Sequence, residues 1–356
     1  MTHSFFAALI GAIAIVLGGA PSSAQNAYIT NAGSNTVSVI DTATDTVVAT
    51  TTAGITPGGV AVAPDGSNVY VTNQTSKTVS VIATATNATV ATIPVGARPA
   101  GVAVTPDASK VYVANQDSNT VSVIAAATKA VAATIPVGTS PFGVAVTPDG
   151  SKVYVTNVDA STVSVIATAT DTVVGTIPVV SCPFGVAVTP DSSKVYVGHL
   201  FSNTVSVIAT TTDTVVNSIL VGSQLSGVAV TPDGSKVYVA SRVGNSVSVI
   251  ATATDTVIGA ILVGTNPEGV AVTPDGSKVY VANFISNTVA VIATATNTVV
   301  NIIPVGSAPV AFGIFVQPPS ANAGKDGCKN GGWRNFPSPP GPFKNQGQCV
   351  SFFARN

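Results

Sequence analysis

All seven tyrosines of the chain fall on one arithmetic series: Tyr28, Tyr70, Tyr112, Tyr154, Tyr196, Tyr238 and Tyr280, each 42 residues after the last. A strict period of this length marks a repeated supersecondary unit, as in a solenoid, a propeller or an array. The unit around Tyr154 reads FGVAVTPDGSKVYVTNVDASTVSVIATATDTVVGTIPVV. It holds four short β-rich runs. Gly-Val-Ala-Val ends at Thr-Pro-Asp-Gly, a strong hairpin turn. Val-Tyr-Val ends at Asn, Thr-Val-Ser-Val-Ile follows, and Thr-Val-Val through Ile-Pro-Val completes the unit. No helical periodicity appears in it.

Four antiparallel strands per unit and this period predict the blade of a β-propeller; a β-solenoid usually has shorter coils. Both faces of each run carry Val, Ile or Ala, as a sheet packed between two others requires. Gly and Ala concentrate on the first run, which suits the crowded position nearest the axis. The chain enters the series at Ala27-Tyr28-Ile29-Thr30, a second strand with no first strand before it. The missing strand is supplied at the far end by Phe312-Gly313-Ile314-Phe315-Val316. The expected fold is therefore all-β: a seven-bladed propeller over residues 25–318, four antiparallel strands per blade, the last blade closed by both termini. Such closure leaves no open edge.

Composition narrows the function classes. Charged residues make up 8% of the chain, against roughly 25% in an average soluble protein. The net charge of -1 excludes the basic stripe of a nucleic-acid binder. Mean hydropathy is high at +0.50, yet beyond residue 20 no apolar run approaches the roughly 20 residues of a helical span. Phe5 to Ala20 is one apolar stretch, and Pro21-Ser22-Ser23-Ala24 places small residues where a signal peptidase reads. Residues 1–24 are read as a signal peptide, although its first residues hold only His3 and no Lys or Arg. The mature chain is then expected to be exported (periplasmic, secreted or at the cell surface), without a membrane span, and monomeric.

The blade motif resembles a known family. Tyr70-Val71-Thr72-Asn73 and Tyr154-Val155-Thr156-Asn157 spell YVTN, Tyr28 to Asn31 reads YITN, and Tyr112 and Tyr280 each open YVAN. With TPDGSK upstream and SNTVSVI downstream, residues 26–318 resemble the YVTN β-propeller repeats of bacterial and archaeal surface-layer and other exported proteins. The resemblance is specific for fold and carries little about function.

After a linker at residues 319–324, residues 325–356 change character. They hold the only Trp, Trp333, two of three cysteines, four of twelve phenylalanines and five of fourteen basic residues. This stretch resembles a short cysteine-paired module at the C-termini of some secreted bacterial proteins. So small a segment needs a staple, which Cys328 and Cys349 would supply in an oxidising compartment. A zinc site is disfavoured, since the segment has no His and no second cysteine pair. Cys182 is the odd cysteine, read as an unpaired thiol or one that pairs outside the chain.

Signatures of haem attachment, zinc proteases, serine hydrolases and phosphate-binding loops are missing from the sequence, and no cofactor is expected. The aspartates of the Pro-Asp-Gly turns read as turn formers. Internal comparison of the repeats is more informative. With recurrent scaffold charges set aside, six of the seven remaining propeller charges lie on one face, that of the second-to-third and blade-to-blade loops. They are Lys77, Arg98, Asp117, Asp159, Arg242 and Glu268; Asp41 is the exception. The residue before each inner-strand Gly should ring the channel mouth: Gly58, Ala100, Phe142, Phe184, Ser226, Glu268 and Phe312. The expected ligand site is this mouth, with Phe142, Phe184 and Phe312 as apolar surface. Glu268, Arg242 and His199 are its polar handles, and Arg98 and Asp117 lie toward the other side.

From these features the sequence predicts a non-enzymatic binding or cell-surface interaction module, whose partner would be a small molecule, a peptide or a surface protein. Two alternatives stand beside it. One is a surface scaffold without a small-molecule site. The other is a metal-assisted, lactonase-like hydrolase using Asp117, Asp159, Glu268 and His199. Whether the mouth is open and whether those side chains converge decide among the three.

Overall fold

A computed structural model describes residues 25–318. The signal peptide read over residues 1–24 and the Cys328–Cys349 pair lie outside the described residues. Six four-stranded antiparallel sheets and one three-stranded sheet follow one another along the chain. They form the seven blades that the tyrosine series predicts. Among the described residues no helix is long and apolar enough to cross a membrane.

One blade shows the logic of all. Its inner strand is Pro141–Val146, its second Lys152–Asn157, its third Thr162–Ala167 and its outer Thr172–Pro178. The middle two strands are buried on both faces, which is why both alternating sets of residues are Val, Ile or Tyr. The outer strand alternates between exposed and half-buried residues, with Ile177 alone buried. All seven tyrosines are at most 1% exposed. Each sits in the second strand, and most of their hydroxyls reach the third-to-fourth turn of the next blade. Tyr112 donates to Asp171 at 2.6 Å, and Lys110 pairs with the same carboxylate at 2.8 Å. The arrangement recurs with Tyr154 and Lys152 on Asp213, and with Tyr196 and Lys194 on Asp255. Tyr280 and Lys278 close the circle on Asp45 at the far end of the chain. The repeated Lys and Asp are thus a staple between blades.

The inner strands carry the constraint that sets the axis. In each complete blade the register slips between the entering residue and the valine three positions on, for example between Pro141 and Val144. Two residues there oppose one on the neighbouring strand, a β-bulge. The bulge brings a Gly against the carbonyl of the next blade. A Cβ on Gly59 would lie 2.2 Å from the Ala100 oxygen, one on Gly143 2.4 Å from that of Phe184, and one on Gly185 2.0 Å from that of Ser226. Only glycine allows inner strands to approach so closely.

Closure departs from the simple expectation. The first three strands, Asn26–Asn31, Thr36–Asp41 and Thr46–Thr52, receive residues 309–316 as isolated bridges rather than as a regular strand. Asn31 pairs with Pro309 as Asn283 does with Pro267, and Ala27 pairs with Val316 as Val279 does with Val272. Five steps separate Pro267 from Val272, but seven separate Pro309 from Val316, so the closing segment carries two extra residues. It spends them on an excursion through Gly313, at φ +117°. The excursion also bonds to the adjacent inner strand: Val60 N donates to the Phe312 carbonyl at 2.8 Å and Val62 N to that of Ile314 at 2.9 Å. Val310 therefore stands where the 42-residue register puts a ring residue, and Phe312 reaches the axis as the inserted residue.

Paired glycine substitutions test the axial contact. Gly185→Ala should destabilise the fold by about 2–4 kcal/mol through overpacking. Gly259→Ala, whose Cβ would meet nothing within 4 Å on an outer strand, should be neutral or stabilising by a few tenths of a kcal/mol. Denaturant melts of the two variants decide; equal losses would remove the axial glycines from the account.

Candidate functional site

The bulge that brings Gly against its neighbour also aims the preceding side chain at the axis. Six of the seven ring positions lie where the sequence places them, Phe312 standing in for Val310 as the inserted residue, and the mouth is filled. Phe142 and Phe184 stack with ring centroids 3.7 Å apart, and Phe312 meets both edge-on at 5.1 and 5.4 Å. Val158 and Leu200 pack against the same cluster. The expectation of a concave apolar mouth on the loop face is thus corrected: three aromatic side chains, one delivered by the inserted residue, close it.

A polar pair survives at the edge of this plug. Glu268 is 7% exposed and belongs to the inner strand Pro267–Val272. Arg242 follows the second strand Lys236–Ser241 of the preceding blade. Its Nη2 donates to Glu268 Oε2 at 2.6 Å, and its guanidinium carbon lies 4.8 Å from the centre of the Phe184 ring. The small ring residue between them, Ser226, makes this possible. Arg242 shares its blade and reaches over it, with Phe184 on one side and Glu268 on the other. Ser226 Oγ donates to the carbonyls of Pro267 and Glu268 at 2.9 and 3.1 Å, which pins the backbone that carries Glu268. Arg242 Nε is buried with no acceptor, an unsatisfied donor inside the cluster.

Burial pushes the Glu268 carboxyl up to about 7, and the neighbouring Arg242 charge only partly offsets it. The charged form loses more solvation than a single cation restores. Glu268 therefore changes charge near neutral pH, as a general acid or base requires.

The other candidate residues lie elsewhere. His199 is fully buried. Its Nε2 shares a hydrogen bond with Ser206 Oγ at 2.8 Å, and its Nδ1 lies 3.3 Å from the Ser181 carbonyl. That is the position of Asn73, Asn115 and Asn157, which bond Ser80, Ser122 and Ser164 in the same way. Burial lowers its pKa to about 4, so it stays neutral. His199 substitutes for a blade-internal Asn and is no handle at the mouth. Arg98 and Asp117 approach each other to 4.0 Å with both side chains more than half exposed, on their own blade's loops. Asp159 accepts from Ser140 within one blade. Arg98 and Cys182 occupy the same left-handed loop position, at φ +50° and +54°, so their places follow from turn geometry. Among the described residues no three His, Cys, Asp or Glu side chains come together to hold a metal ion. Asp117, Asp159, Glu268 and His199 do not converge.

A second tier, of which the sequence reading singles out only Arg242 as part of the site, stands over the ring. The residue after each second strand runs Ala32, Gln74, Gln116, Val158, Leu200, Arg242, Phe284 at 42-residue steps. Several of these side chains lie over the inner ring: Gln74 covers Gly58, and Val158 and Leu200 cover the phenylalanines. Comparing this position across blades would have found them.

Sequence and structural comparisons fit this geometry. The family described as Lactonase, 7-bladed beta-propeller matches residues 22–131 and 209–300, the second of which includes Arg242 and Glu268. No curated protein matches the chain. Among solved structures, hydrazine synthase of Kuenenia stuttgartiensis is similar at TM-score 0.70 and 25% identity, over 75% of this chain and 92% of that one. A functionally unknown protein of Desulfotomaculum acetoxidans gives 0.70 and 20%, over 81% and 99%. A putative 6-phosphogluconolactonase of Bacteroides uniformis gives 0.70 and 18%, over 80% and 98%. The family match replaces the surface-layer YVTN resemblance. It also overturns the expectation of a non-enzymatic binding or cell-surface interaction module, because the family is named for an enzymatic activity.

The raised carboxyl makes a stability prediction with a definite sign. Below about pH 4.5 Glu268 is neutral in both the folded and the unfolded chain. As pH rises toward 7 the unfolded chain ionises first, so the fold loses stability, by roughly 3 kcal/mol in all. Glu268→Gln should remove this loss between pH 4 and 8. His199 acts in the opposite sense in both proteins and cancels in the difference. Parallel pH profiles for the two proteins would show that Glu268 is not raised.

Proposed function

The chain belongs to the lactonase family of seven-bladed β-propellers, and from that premise we propose that it is a hydrolase of lactones whose acid–base group is Glu268. The observation that carries the reading is the Arg242–Glu268 pair: a carboxyl that titrates near 7, held 2.6 Å from a guanidinium on the loop face. Opening a lactone needs a base to take a proton from the attacking water, stabilisation of the negative charge that develops on the carbonyl oxygen, and a proton for the departing alkoxide. Ionised Glu268 supplies the first and, once protonated, the third. The positive charge of Arg242 supplies the second. The stacking of Arg242 on Phe184 and the Ser226 bonds to the Glu268 backbone hold both groups in place.

The chemistry proposed uses these side chains alone, since the donor set does not fit a metal. The likeness to a putative 6-phosphogluconolactonase points to sugar lactones as the first substrates to examine.

D-glucono-δ-lactone and its 6-phosphate are the test substrates, with acid release as the readout. Turnover should rise with pH through about 7. Glu268→Gln should lower kcat/KM by about a hundredfold or more and abolish that rise. Arg242→Met should lower kcat with little change in folding. A Glu268→Gln enzyme with wild-type kcat/KM and an unchanged pH profile would end this assignment.

A further inference from the structure

The inner strands run from the filled mouth to the Thr-Pro-Asp-Gly turns and enclose a second space. A cavity of about 430 Å³ follows the axis. Its floor is the Phe142, Phe184 and Phe312 cluster, and its walls are inner-strand Val and Ala, among them the half-buried Ala145 and Ala187. The prolines of the turns, with Pro318, form its rim. The well is therefore blind at the loop face and opens among the turns, opposite the Arg242–Glu268 site. Its lining is apolar and its size that of a pocket for one large side chain or small ligand.

Charge divides unevenly between the two faces. The loop face carries three cations and three anions. The turn face carries eleven aspartates against six lysines, a net of −5. Four of those lysines are held in ion pairs with aspartates of the next blade. Asp107, Asp149, Asp191 and Asp233 are held below the usual carboxylate range by hydrogen bonds from Thr side chains and from the turn's Ser. These four carboxylates stay ionised to lower pH than an ordinary aspartate does.

The polypeptide leaves the propeller at Pro318, on the rim of this well. Residues 319–356 carry five cations and one anion, a net of +4, together with the only Trp and four Phe. Lys329 and Arg334 flank Trp333 closely in sequence. We propose that residues 319–356 dock back on the turn face of the same chain, with Trp333 in the axial well and Lys329 and Arg334 over the aspartate turns. The charge of the segment complements that of the face. The fifteen residues from Pro318 to Trp333 reach at most about 50 Å when extended, ample for a segment that starts at the rim. Tethering also makes the effective concentration of Trp333 high, of millimolar order.

Trp333 is the chain's single tryptophan, so fluorescence of the full chain reports it directly. Acrylamide quenching and emission wavelength are measured for the wild type, for Ala145→Phe with Ala187→Phe, which fills the well, and for Asp149→Asn with Asp233→Asn. The proposal expects a shielded, blue-shifted Trp333 in the wild type and several-fold stronger quenching when the well is filled. Quenching should rise roughly twofold in the aspartate variant, and likewise in wild type when high salt screens the attraction. Circular dichroism checks each fold; if the filled-well variant does not fold, the aspartate variant, altered only on exposed turns, carries the test. Equal quenching in wild type and variants, whether strong or weak, overturns the proposal. Shielding that grows with protein concentration alongside a dimer mass overturns it in favour of docking on a second copy.

Discussion

The contact between each axial glycine and the carbonyl of the next blade governs the centre of this molecule. It makes the inner strands bulge, and the bulge turns the preceding side chain toward the axis. Removing any of these glycines would place a Cβ at about 2 Å from an oxygen atom, far inside van der Waals contact. The staple of Tyr, Lys and Asp at the turn face holds adjacent blades together, but it tolerates variation. Asn87 and Asn297 replace Asp as acceptors for Tyr28 and Tyr238. The axial contact tolerates none, except where the closing strand puts Ala311 and its extra residues in place of the glycine.

That exception shapes the site. Two additional residues carry Phe312 to the centre, where with Phe142 and Phe184 it closes the channel against the loop face. Glu268 is buried close to this closure, and its partner Arg242 lies over the Phe184 ring rather than in open water. A carboxyl beside a cation in solvent would titrate below its ordinary value. Here burial prevails, and the group is poised near neutrality. The plug removes the expected pocket, and beside it burial gives Glu268 the electrostatic environment that a proton-transfer group needs.

Much of the fold was legible because its determinants are periodic. Tyrosines 42 residues apart, glycine before every inner Val-Ala-Val, and Asp after Pro in the turns recur wherever backbone geometry demands them. Six positions of the ring at the mouth were legible for the same reason, Glu268 among them, and its neighbour Arg242 stood out as a charge that does not recur. What was missed depends on departures from the period. The insertion at Ala311–Gly313 can be counted in the sequence, but its path across the axis comes from bonding to two blades at once. His199 was misplaced because its imidazole does the work of an Asn amide, pointing into the blade rather than out of it. The motif Tyr-Val-Thr-Asn suggested one family while the chain belongs to another, because each of those residues meets a need of the blade: a buried ring, a pleat, a hydroxyl bonded to the next blade, and an amide that caps the strand. Asp117 and Asp159 stand out because they do not recur, yet Asp159 accepts from Ser140 in its own blade and Asp117 faces Arg98 in solvent.

The central claim is that aromatic closure of the axis raises Glu268 to near-neutral titration beside Arg242. Glu268 is the only glutamate in the chain, so labelling glutamate at its side-chain carboxyl carbon gives a single resonance in the full protein. Following its ¹³C chemical shift from pH 3 to pH 9 measures that titration directly. The account predicts a midpoint of about 7, falling toward the ordinary value when Phe312→Ala opens the plug. A midpoint at or below the ordinary value of about 4.3 for a solvated glutamate, with or without Phe312, would contradict it.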